Sequence, residues 1–160
     1  MTTPKQRLLQ RGLVLPAPVK LPLTVRLPFT MINVRGNHVG ISGHPRHGAD
    51  GSLTGPYGKV GTDVSMAEAQ DAARDIGLCM LANLKAEIGE LSRVAGWLRV
   101  FGMVNSSPDF SEQHLVINGF SDLIIDLFGP DIGRHSRSAV GVAGLPMNFS
   151  IEIEAELLLS

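Results

Sequence analysis

A chain of 160 residues is long enough to bury a hydrophobic core as one domain without disulfide or metal staples. Its 44% hydrophobic and 18% charged residues exclude a disordered chain, and no apolar run reaches the length of a membrane span. The net charge of −1 excludes a strongly basic or acidic binding protein, and a lone Cys79 excludes an internal disulfide and a thiolate zinc site.

The charge is unevenly spread. No acid precedes Asp50, whereas Lys5, Arg7, Arg11, Lys20, Arg26, Arg35 and Arg46 do. These charges stand singly among apolar residues and prolines, so they read as solvated surface first and as the rim of an anionic-ligand site second. Residues 4–12 predict a short helix, and Pro16, Pro18 and Pro22 space out a linker that argues against a secretory leader. The expected division is an extension over 1–22 and a domain over 23–160, in the reducing cytoplasm.

Residues 29–34 and 38–42 predict two strands about a tight turn at Arg35-Gly36-Asn37. The glycine-rich loop from His44 to Tyr57 lacks the spacing and the lysine of a phosphate-binding loop. Ser65 and Glu68 form a capping box that opens a helix reaching about Ile88. Ala69, Ala72, Ala73, Ile76, Met80, Leu84 and Ile88 make its apolar side. Cys79 falls beside that stripe as a packed thiol. Val94 to Val104 predicts a strand with apolar residues on both faces. A second helix over 111–128 carries Val116, Ile117, Phe120, Leu123, Ile124 and Leu127, and Gly129-Pro130 ends it.

Two more strands follow, Ser138 to Ala143 and the alternating Ile151, Glu152, Ile153, Glu154, Ala155, read as a hairpin turning at 145–148. The order β-β-α-β-α-β-β, with two one-sided helices, predicts an α+β two-layer sandwich: a mixed sheet with both helices on one face. The other face of the sheet is most economically buried by further copies of the chain in a closed ring. Arg137 opens the last pair of strands, either as a solvated strand end or as a two-pronged anchor for a carboxylate. Glu152, by pattern alone, reads as a solvated strand residue.

The stretch Arg137-Ser138-Ala139-Val140, with Leu145-Pro146 and then Ile151-Glu152-Ile153-Glu154-Ala155, resembles the signature of the Rid (YjgF-type) enamine/imine deaminase family. Val39-Gly40-Ile41-Ser42-Gly43 and Val104-Asn105-Ser106 resemble its strands. Gly58-Lys59-Val60-Gly61, Asn118-Gly119-Phe120-Ser121-Asp122 and Gly133-Arg134-His135 resemble a longer bacterial branch. The resemblance implies a chorismate-mutase-like fold, a homotrimer with clefts between subunits, and a small 2-oxo or 2-imino acid as ligand. It implies hydrolysis of reactive enamines and imines to keto acids and ammonia, without metal or bound cofactor. Arg137 and Glu152 would be catalytic, with Phe29, Ser42, Gly43, Asn118 and Ala139 binding substrate.

With a hairpin turning at 145–148, Arg137 and Glu152 would lie about 15 Å apart along the strands, so a shared site would need two subunits. Three positions depart from the deaminase pattern: Phe29 where a tyrosine is usual, Ala139 where cysteine is frequent, and His44 where glutamine is usual. His44 would carry protons or cap a loop. His114 reads as a surface residue. A non-catalytic metabolite sensor is the first alternative function and a ribonuclease the second. The ribonuclease is supported only by the basic first third; nucleic acid and membrane are not expected partners.

Overall fold

The computed structural model describes residues 2–160. Helix α1 (Pro4–Gln10) is followed by strands β1 (Ile32–Arg35) and β2 (His38–His44), helix α2 (Met66–Ile88), and strand β3 (Val94–Asn105). Helix α3 (Gln113–Phe128), a single turn α4 (Pro130–Gly133), and strands β4 (Ser136–Val142) and β5 (Ile151–Leu159) complete the chain. The Ser65–Glu68 capping box forms as its spacing predicts: Ser65 accepts from the Glu68 amide while Glu68 accepts from that of Ser65.

The five strands run in the order β1-β2-β5-β3-β4, a mixed sheet in which β3 and β4 alone are parallel. β1 and β2 pair as the expected hairpin, Arg35 opposite His38. The last two strands correct the sequence reading. β4 and β5 do not form a hairpin, because β3 lies between them and pairs with both. The succession β3–α3–β4 is a crossover, and a strand returning from a helix lies parallel beside the strand it left. β3, apolar on both faces, occupies the centre of that half of the sheet, and the small residues of β4 take the edge.

Both long helices cover one face. Ile151, Ile153, Ala155, Leu157 and Leu159 of β5 point under them together with Val100 and Val104 of β3. Phe120, Ile117 and Ile124 of α3, and Ile76, Met80 and Leu84 of α2, fill the layer between. α1 joins the same core through Leu8. Its Arg7 donates to the Asp126 carbonyl of α3, and Arg11 pairs with the Asp126 carboxylate at 3.2 Å.

The two helices touch most closely at Gly119, where a Cβ would strike the carbonyl oxygen of Gln70 on α2. Backbone cannot yield there as a flexible side chain can. Gly119→Ala is therefore expected to destabilise the fold by about 2–3 kcal/mol through overpacking. Calorimetry should register this as a fall of about 4–10 °C in melting temperature.

Candidate functional site

Strand register decides where the predicted site residues fall. Arg137 stands opposite Val100 of β3, which stands opposite Ala155 of β5. Val100 is buried under the helices, so Arg137 projects to the helix side of the sheet. Glu152 stands opposite Met103, between Ile151 and Ile153, which are buried under the helices, so it projects to the open side. Three residues of register and two strand spacings separate them, about 14 Å between Cα atoms, and they lie on opposite faces. The separation expected from a hairpin is thus present, but it arises from an intervening strand.

On the helix side, Arg137 reaches onto α3. Its Nη1 donates to Asn118 Oδ1 at 2.9 Å and to Ser121 Oγ at 3.1 Å, and its Nη2 donates to the His114 carbonyl at 3.2 Å. Three of the five guanidinium hydrogens are thereby fixed, which leaves Nε–H and one Nη2–H without a partner among the described residues. Two donors left on a held guanidinium fit the two oxygens of a carboxylate. Burial pulls the Arg137 pKa down from its ordinary value, against the opposing charge of Asp122. It remains a cation at any physiological pH. Ala139 lies two residues further along the same face of β4 and adds no polar group.

On the open side, Glu152 lies against Gly43 of β2, whose missing side chain leaves the space that the carboxylate fills. Burial raises the Glu152 pKa, and the neighbouring Glu154 raises it further. Ser42 donates to the Thr30 carbonyl at 2.7 Å and lines, with Phe29, an open-face cavity of about 670 Å³. Arg99, Phe101, Glu154 and Glu156 form its floor. Phe29 is 53% exposed, so its ring is free to meet another surface.

The predicted residues therefore form two groups: Arg137, Asn118 and Ala139 on the helix side, and Phe29, Ser42, Gly43 and Glu152 on the open side. His44 belongs to neither. It is fully buried, held by the Ser42 carbonyl at 2.6 Å, and desolvation lowers its pKa to about 4, so it sits neutral in the core. Cys79 is likewise packed, its thiol pushed up to about 11 by burial. His114 contributes its carbonyl, and its side chain is exposed.

Two contributors went unassigned in the sequence, Ser121 and His135. His114, Asn118 and Ser121 recur at three- and four-residue spacing along one side of α3, and that polar stripe was the available signal. Lys59, within the glycine-flanked motif, donates to Asn105 Oδ1 and to the Ala143 carbonyl, both at 2.9 Å, and ties the loop to the end of β4. Among the described residues, no group of three or more His, Cys, Asp or Glu side chains is placed to hold a metal ion. No helix there is long and apolar enough to cross a membrane.

Residues 5–155 match the model of a family described as "YjgF/chorismate_mutase-like, putative endoribonuclease". Protein TCP17 of Trypanosoma cruzi is 40% identical over 121 residues, 75% of this chain and 74% of that protein. The crystal structure of Atu1372 from Agrobacterium tumefaciens is 37% identical with a TM-score of 0.84, covering 98% of this chain and 92% of that one. A protein of Shewanella oneidensis MR-1 carrying the same endoribonuclease label is 30% identical with a TM-score of 0.87, covering 98% and 99% of the two chains.

Proposed function

Because the chain belongs to the YjgF/chorismate-mutase-like family, we propose that it hydrolyses small 2-imino and 2-enamine acids to 2-keto acids and ammonia, at clefts formed between the subunits of a homotrimer. One observation carries this reading: a half-buried arginine, fixed by three acceptors, keeps two donors free at a sheet edge. That arrangement suits the carboxylate of a 2-imino acid. Water then adds to the C=N carbon, the amine departs as ammonia, and the carbonyl oxygen derives from water. Glu152, a carboxylate made more basic by burial and by Glu154 beside it, accepts a proton from water and returns one to the leaving nitrogen.

Opposite faces of one sheet cannot close on a molecule of this size, so the carboxylate anchor of one copy must meet the carboxylate base of the next. Cyclic, head-to-tail packing joins two unlike surfaces of identical chains in this way. The open face supports it: Leu98 and Phe29 are exposed there, and Phe101, Met103 and Leu158 are half-buried, an apolar surface suited to burial by another copy.

Phe29 and Ala139 supply no hydroxyl or thiol, and this favours a second reading, a trimer that binds a keto acid without turnover. An amino-acid oxidase that releases an imine separates the two. The hydrolase accelerates keto-acid appearance, whereas a sensor binds 2-oxobutyrate and leaves the rate unchanged. Ribonuclease activity draws little support, since Arg7, Arg11 and Arg46 of the basic first third are engaged by Asp126 and Asp75.

A further inference from the structure

Arg137 owes its aim to a run of hydrogen bonds that begins in the main chain just before β4. His135 Nδ1 lies 2.7 Å from the Gly133 carbonyl, which can only accept, so Nδ1 carries a hydrogen. In the neutral ring Nε2 is then a bare lone pair. It lies 3.0 Å from Ser121 Oγ, so the hydroxyl donates to it. With its one proton committed, Ser121 Oγ is left as an acceptor for Arg137 Nη1 at 3.1 Å. Each link fixes the polarity of the next, from a backbone carbonyl to the guanidinium.

Ser121 is nearly buried, in the middle of α3. A helical serine without another acceptor turns its hydroxyl to a carbonyl one turn back. That rotation would redirect the lone pairs that meet Arg137.

We propose that His135 is a positioning residue for Arg137: its neutral, Nδ1-protonated ring holds the Ser121 hydroxyl so that the guanidinium presents its free donors to an incoming carboxylate. The proposal rests on the reading of Arg137 as a carboxylate anchor. Neutrality of the ring has a geometric reason, since a protonated Nε2 would set two cations about one hydroxyl oxygen. Burial lowers the His135 pKa most, and the Arg137 charge adds to this. Arg137 is the charged side chain that acts on the ring, and Asp122 of α3 acts on Arg137 in turn. Asp126 on α3, Asp131 on α4, Arg134 beside it and Arg99 on β3 are the other charges on adjoining elements, and none of them shifts His135.

The test uses the full chain and two measurements. Nitrogen-15 spectra of the imidazoles should show His135 as the Nδ1–H tautomer, titrating at higher pH once Arg137→Ala removes the neighbouring cation. His135→Ala should weaken 2-oxobutyrate binding about three- to tenfold, the worth of one neutral hydrogen bond. His135→Gln, whose side-chain carbonyl offers an acceptor near the position of Nε2, should restore affinity to within about twofold. An Nε2–H tautomer, or affinity unchanged in His135→Ala while Arg137→Ala abolishes binding, overturns the proposal and leaves the carboxylate anchor standing. Binding by wild type that survives Arg137→Ala, or no binding by wild type, overturns the anchor and this proposal with it.

Discussion

Arg137→Ala is expected to lower kcat/KM on an enzymatically generated imino acid about 10²- to 10³-fold, the cost of losing a charge-assisted bidentate contact. Coupled-assay kinetics read the rate, and titration calorimetry with 2-oxobutyrate should lose its signal in the same variant. Arg137→Lys keeps the charge but not the fork. It cannot hold Asn118, Ser121 and the His114 carbonyl while still offering two donors to a ligand. The lysine variant should therefore recover little of the loss. Full activity in Arg137→Lys would show that a point charge suffices and that the donor geometry is irrelevant.

Glu152→Gln should cut kcat about 10²- to 10⁴-fold, the range for a positioned proton carrier, while 2-oxobutyrate affinity stays within about twofold. The same variant should melt higher than the wild type at pH 8. Burial, with Glu154 beside it, raises the folded-state pKa of Glu152 above its unfolded value. Between those two values the folded chain holds a proton that the unfolded chain has released, so unfolding free energy falls as pH rises through that window. Above the folded value the whole penalty is present; below the unfolded value it vanishes. The thermal advantage of Glu152→Gln should therefore shrink toward pH 4, and a melting series across pH would show it. Lost activity joined to gained stability marks a carboxylate kept for chemistry.

The two variants also test the shared cleft. In a ring that pairs Arg137 of one copy with Glu152 of the next, co-refolding equal amounts of the two inactive variants regenerates about one quarter of the wild-type sites. No recovery in mixed rings would show that Arg137 and Glu152 do not serve one site, since within a single copy they lie on opposite faces.

Local signals carried much of the fold. The capping box, the stripe along α2 and the β1–β2 hairpin follow from spacing alone, because each depends on residues near one another in the chain. The neighbour of β4 was not legible in that way. Leu145-Pro146-Met147-Asn148 reads locally as a hairpin turn, yet pairing is settled by the crossover through α3 and by the two apolar faces of β3. The same local view placed Phe29 inside the first strand, whereas β1 begins only at Ile32 and Phe29 precedes it on the cavity rim. Arg137 and Glu152 could be picked out by motif. That they face opposite ways required the register, and the hydrogen bonds through Ser121 and His135 required coordinates.

Asn118 and Ser121 ride on a rod whose far end is clamped. Arg7 and Arg11 grip Asp126, about one and a half turns beyond Ser121 and two beyond Asn118, and Leu8 wedges α1 into the interior. The opening segment therefore works as a prop: it braces, from outside the sheet, the same helix to which the guanidinium is bonded.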